Sequence, residues 1–143
     1  MPMVRYLVLA TLFFQHIASG EADILIGVGV LRAKALHVVM PEYPQRSVQA
    51  GHVGTAVAEV DVSREGKVTQ VHILQAPDEA ISRSVDKALR HWTFGPTSLD
   101  APGKPLVEVK SRLLFSFRIE MGKGVVQDLA AELLRREGAI PNK

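Results

Sequence analysis

Residues 106–119 alternate more strictly than any other part of this chain. Val107, Val109, Leu113, Phe115, Phe117 and Ile119 fall on one side of a period-two pattern, with Glu108, Lys110, Arg112, Ser116 and Arg118 on the other. Such a segment is a strand that buries one face. A slip of one residue would drive its charges into the core, so its register is fixed by the pattern itself. The rest of the chain has to supply pairing strands and a layer to cover the apolar face.

Those parts precede it in order. Pro41 and Pro44 mark the entry, and residues 44–50 read as a short helix with Gly51 as its cap and Tyr43 folded back as an anchor. Ala56, Ala58, Val60 and Val62 share one face of a strand, opposite Thr55, Val57, Glu59 and Asp61. The chain turns at Ser63-Arg64-Glu65-Gly66 and returns through residues 68–75, giving a hairpin. Asp78 is placed to cap a helix whose stripe is Ile81, Val85, Ala88, Leu89 and Trp92, closed by Gly95-Pro96. A turn region with two prolines at 100–105 leads into the alternating strand. Beyond it, Val125, Val126, Leu129, Ala130, Leu133 and Leu134 recur at helical spacing and predict a terminal helix of about three turns. The expected fold class is α+β: a small three-stranded antiparallel sheet with two helices packed on one face, plus an extra C-terminal helix.

The N-terminus points outside the cytoplasm. Arg5 precedes an apolar stretch over 6–14, and Ala18-Ser19-Gly20 offers small residues for cleavage. Residues 1–20 read as a signal peptide with Glu21 as the first mature residue. The alternative is a retained anchor, although Gln15, His16, Glu21 and Asp23 interrupt the run before the roughly 20 apolar residues that a spanning helix needs. The expected location is the periplasm, or the inner membrane facing the periplasm if residues 1–20 stay. Residues 21–40 form a lead-in. Its apolar run at 24–31, with Gly27 and Gly29 against helix, reads as a strand or extended arm covering the domain, the alternative being an arm that docks on a partner.

Composition excludes whole classes of function. A net charge of +2 with dispersed basic residues does not suit nucleic acid. The absence of cysteine removes disulfides, thiolate metal sites and cysteine nucleophiles. Gly51-His52-Val53-Gly54 precedes a strand rather than a helix, so it is not a phosphate loop, and neither HExxH nor G-x-S-x-G occurs. His37, His52, His72 and His91 lie on different elements, with no metal-ligand spacing. Glu59 and Asp61 read as solubility residues on a solvated strand face, and Ser82 and Ser84 lack a patterned histidine and acid. Trp92 and Phe94 read as core. The expectation is a protein that is not an enzyme, with no catalytic residue, cofactor or metal.

Taken together, Pro41-Glu42-Tyr43-Pro44, Gly54, Val60-Asp61-Val62, Glu65-Gly66-Lys67-Val68, Ala88, Trp92, Phe94, Pro96, Gly103-Lys104-Pro105 and Phe115-Ser116-Phe117 resemble the C-terminal domain of the TonB energy-transducer family. The resemblance covers about residues 39–119, with domain limits at 41–119 and the terminal helix and tail at 120–143. It implies that Tyr43, Pro44, Gly54, Gly66, Trp92, Phe94 and Pro96 are structural. It also implies that the last strand is an exposed edge to which an extended segment of a partner protein, such as an outer-membrane receptor, adds by backbone pairing. By position the pairing residues would be Val107, Val109, Lys110, Arg112, Leu113, Phe115, Phe117 and Arg118. The alternative is that the terminal helix covers this edge. Family transducers carry a retained anchor and a long proline-rich spacer, whereas the lead-in here is about 20 residues and spans at most about 3.3–3.6 Å per residue. The expected function is therefore a periplasmic interaction domain. The alternatives are an anchored energy transducer, or an envelope assembly protein that uses its terminal helix, for instance as a homodimer.

Overall fold

The computed structural model describes residues 24–25, 28–95 and 109–141. The expected export signal, the turn region at 100–105, Pro96 and Val107 lie outside the described residues. In chain order the elements are β1 (Ile24–Leu25), α1 (Val28–Ala33), β2 (Ala35–His37), α2 (Gln45–Gln49), β3 (Gly54–Val62), β4 (Val68–Gln75), α3 (Glu79–Leu89), β5 (Thr93–Phe94), β6 (Val109–Glu120), β7 (Lys123–Asp128) and α4 (Leu129–Arg136). No helix among the described residues is long and apolar enough to cross a membrane.

The apolar patterns fold as their periods require. On β3, Ala56, Ala58, Val60 and Val62 are all fully buried. They lie opposite Phe115, Leu113, Ser111 and Val109 of β6 in one unbroken antiparallel register from Gly54↔Phe117 to Val62↔Val109. Helix α3 covers this face with Ile81, Val85 and Leu89, all fully buried. Burying an aliphatic side chain of this kind is worth about 1.5–3 kcal/mol, so the sheet and α3 form the dominant stabilising unit. Asp78 caps α3 by accepting the Ile81 N–H at 2.7 Å. Helix α2 closes with the Gly51 N–H donating to Val48 O and the His52 N–H to Ser47 O, both at 3.0 Å.

Gly66 is fixed by two constraints at once. Its φ is +84°, and a Cβ there would sit 1.9 Å from the carbonyl oxygen of Phe94. The close approach is used: the Phe94 N–H donates to the Gly66 carbonyl at 2.8 Å. This joins the hairpin turn to β5, which pairs with β2 in a second, two-stranded sheet.

The structure departs from the expected elements at both flanks. The main sheet has five strands, not three. The lead-in is not one strand: β1 is two residues long and the chain then turns helical as α1 despite Gly29. Packing overrides propensity here: Leu31 is fully buried in the core, and Arg32 Nε donates to Asp128 at 2.6 Å. Residues 123–128, expected to open the terminal helix, form β7. They pair with β6 from Glu120↔Lys123 to Phe115↔Asp128 across a two-residue turn, in which Met121 and Gly122 both have positive φ. Helix α4 starts at Leu129, beyond Val125 and Val126 of the expected stripe, and is capped by Asp128 through the Ala131 N–H at 3.0 Å. Helix α3 stops at Leu89, ahead of Trp92.

Candidate partner-binding edge

β6 is an inner strand. Along one side it pairs with β3 over nine residues. Along the other it pairs with β7 at 115–120, antiparallel, and with β1 at 109–110, parallel. The expectation of an exposed last strand is therefore corrected: the flanks outside the 41–119 segment supply strands to that edge, and β7 rather than the terminal helix covers its C-terminal half. Between the two, no described strand is laddered to residues 112–114 on this side. Among the described residues β4 pairs with β3 alone, just as β1 and β7 each pair with β6 alone. The β4 ladder is broken by two irregularities, near Val57/Ala58 and Asp61/Val62. Bulges of this kind twist an edge away from further pairing.

The side chains singled out from the sequence divide between two faces. Val109, Leu113, Phe115 and Phe117 are buried beneath the helices. Lys110, Arg112 and Arg118 stand on the opposite face, each beside a carboxylate of the same sheet. Lys110 Nζ is 3.9 Å from Asp61 Oδ1 and Arg112 Nε is 3.6 Å from Glu59 Oε2. Arg118 Nη2 is 3.3 Å from Glu120 Oε1. These are cross-strand and neighbouring ion pairs, too long except for the last to be hydrogen bonds, and worth little to stability. Asp61, expected on a solvated face, is only 3% exposed. It lies on the middle strand, flanked in register by Lys110 and Gln70, and neighbours on both sides cover it.

Behind the sheet, Trp92 connects the layers. Its ring lies edge-on to Phe115 at 6.0 Å, and its Nε1–H donates to the Val39 carbonyl at 2.8 Å. The Arg32 guanidinium carbon stands 5.2 Å from the centre of the same ring. Arg32 Nε also donates to Asp128 Oδ2 at 2.6 Å. Tyr43 anchors the entry, edge-on to Phe117 at 5.2 Å, with its hydroxyl donating to His52 O at 2.5 Å. Burial, and then the nearby Asp78 charge, raise the Tyr43 pKa. At Asp78 burial favours the neutral acid, but hydrogen bonds outweigh it and the carboxyl titrates at about 2. The firm contacts are the Ile81 N–H and His52 Nδ1, each at 2.7 Å. Ser47 Oγ is buried nearby without a direct hydrogen-bond partner, so it acts by proximity. No cluster of three or more metal-ligating side chains occurs among the described residues.

The family model described as Gram-negative bacterial TonB protein C-terminal matches residues 39–119. The chain belongs to this family. Protein TonB of Yersinia enterocolitica is 37% identical over 62 residues, which cover 43% of this chain and 24% of that protein. Protein TonB of Escherichia coli (strain K12) is 32% identical over 83 residues, covering 57% of this chain and 32% of that protein. The match thus spans about a quarter to a third of these curated relatives. The Pseudomonas aeruginosa TonB CTD, solved by solution NMR, aligns at 25% identity with a TM-score of 0.49, covering 61% of this chain and 86% of that one. The family is an interaction and energy-transducing one that serves TonB-dependent outer-membrane transport, and its members are periplasm-facing envelope proteins.

Within the TonB segment lie α2, β3, β4, α3, β5 and nearly all of β6. Outside it lie β1 and β7, which pair with the outer edge of β6, β2, which pairs with β5, and the helices α1 and α4. Arg32 and Asp128 were not singled out in the sequence. Asp128 had a signal, an acid directly ahead of an apolar helical stripe. Arg32 had none.

Proposed function

We propose that this chain is a periplasmic protein-interaction domain that binds an extended segment of a partner at the outer edge of β6 by strand addition, in the service of TonB-dependent outer-membrane transport. The partner class that fits is an outer-membrane receptor. The observation that carries the reading is the pairing of β1 with β6 at Ile24↔Val109 and Leu25↔Lys110. This edge accepts an added parallel strand from outside the family segment, and on this outer side no described strand is laddered to residues 112–114 beyond it. In β-augmentation the backbone supplies affinity and alternate side chains supply specificity. Here Lys110, Arg112 and Arg118 line the outward face of the seat, beside Asp61, Glu59 and Glu120. A homodimer through the apolar stripe of α4 is less well supported, because Ala130, Ala131 and Leu134 are buried within the chain itself.

The chain lacks cysteine, so single introduced thiols report unambiguously. Arg112→Cys on β6 and His72→Cys on β4 are each presented with a receptor segment carrying one thiol. Strand addition at β6 gives a disulfide-linked product with Arg112→Cys and little with His72→Cys. The reverse pattern would move the site to the β4 edge and overturn the reading.

A further inference from the structure

The seat assigned to the partner already holds a strand of this chain. We propose that β1 is an internal stand-in for the partner, and that β1 with α1 forms a strap that the incoming strand displaces. The inference rests on the strand-addition reading above and adds a regulatory layer to it.

Three observations support the strap. The first is position: β1 lies parallel to β6 on the outer edge, over Val109 and Lys110. The second is the weakness of its hold. Among the described residues the β1 ladder is two residues long and parallel, while β7 holds the same edge with six antiparallel pairs. Parallel pairing is the less stable per residue, and two residues form little of it. The third is the anchor behind it. Helix α1 has only six residues and contains Gly29, so it does not persist on its own propensity. It is kept by fully buried Leu31, by Arg32 bonded to Asp128 at 2.6 Å, and by Leu134 against Gly29. The strap therefore has a firm base at α1 and a loosely paired tip at β1. Asp128 also caps α4, so the latch couples the N-terminal and C-terminal flanks.

The consequence is a graded block. A partner that binds only the open edge has its apparent affinity lowered by the fraction of molecules with the strap released. The segment that fits is the kind of strand β1 is: extended, with aliphatic residues at the paired positions, running parallel to β6. Its sequence supplies a probe, the synthetic peptide Glu21-Ala22-Asp23-Ile24-Leu25-Ile26-Gly27 added in trans.

The test uses the full chain carrying Ile24→Pro and Leu25→Pro, which removes both N–H donors of β1. Amide exchange at residues 109–110 should rise about tenfold over wild type while α3 stays protected, and the labelled peptide should bind about tenfold tighter than to wild type, restoring protection. If α3 loses its protection, Arg32→Ala carries the test with the same readouts. Equal peptide affinity for released and wild-type chains, or unchanged exchange at 109–110, overturns the strap. A released chain that takes its own peptide but no receptor segment overturns the partner reading and leaves the strap standing. A wild-type chain that binds the receptor segment as tightly as the released one does the opposite.

Discussion

The sheet under α3 and the lobe formed by β1, α1 and α4 are held by different physics. The first is apolar and redundant: Ala56, Ala58, Val60, Leu113, Phe115, Ile81, Val85 and Trp92 interdigitate, and no single polar bond decides it. The second rests on a few specific contacts, chiefly fully buried Leu31 and the Arg32–Asp128 pair. A part held by many apolar contacts opens only with the whole fold, while a part held by a few bonds can open alone. The family segment is thus the rigid platform, and the elements outside it are free to regulate its edge. The sharpest way to break this comparison is to damage each part separately.

Trp92→Ala is expected to have the largest effect. It removes a side chain that is 1% exposed, its packing on Phe115 and Phe94, and its bond to Val39. The expected loss is about 3–5 kcal/mol, a large part of a small domain's total. Denaturant unfolding should show both parts melting together at a lower midpoint. A drop below about 1 kcal/mol would mean that Trp92 is not central to the platform.

Arg32→Met comes next. It leaves the Asp128 carboxylate buried with only the Ala131 amide to satisfy it. The expected cost is about 1–3 kcal/mol, felt locally. Hydrogen exchange should quicken at 28–33 and 129–136 and stay unchanged at 56–62. Uniform acceleration across the chain would merge the two regions into one cooperative unit and remove the contrast.

The same contrast governs what could be read from the sequence. The β3 face, the α3 stripe, the Asp78 cap and the Gly66 turn were legible because each is local: a period, a cap or a turn residue a few positions away. The flanks were not. Val125, Val126 and Leu129 fit a helical stripe as well as a strand, and the turn that decides between them is Met121-Gly122, which lacks the usual Asn-Gly or Asp-Gly signature. Gly29 argued against helix, and tertiary contacts of its neighbours, buried Leu31 and Arg32 bonded to Asp128, reverse that. The Arg32–Asp128 bond joins residues 96 positions apart, which no periodicity can encode. At the candidate site, the residues of β6 were placed on the correct faces, yet whether that strand is an edge depended entirely on those flanks.

Acid should weaken the platform through the Asp78 cap of α3. Asp78 titrates at about 2 against an ordinary 3.8, so its folded form is stabilised as the anion. That contribution is complete above about pH 4 and disappears as the pH falls through about 2. It amounts to on the order of 1–2 kcal/mol, reduced because the side chain keeps 17% exposure. Asp78→Asn keeps much of the cap and should flatten the stability profile between pH 4 and 2. A profile as steep as wild type would assign the acid loss to other carboxylates.

Leu133→Ser is the smallest change and tests whether the lobe's outer surface matters. Leu133 is 52% exposed on α4, turned away from buried Ala130, Ala131 and Leu134. A surface substitution of this kind shifts stability by less than about 0.5 kcal/mol. The stability of the isolated chain should therefore hardly move, and light scattering should give the same mass as wild type. A fall in mass would show that α4 joins two copies through Leu133, in which case the lobe would be an interface as well as a strap. An unchanged mass leaves α4 as a support for α1 within one chain, through Asp128 at its cap and Leu134 beside Gly29.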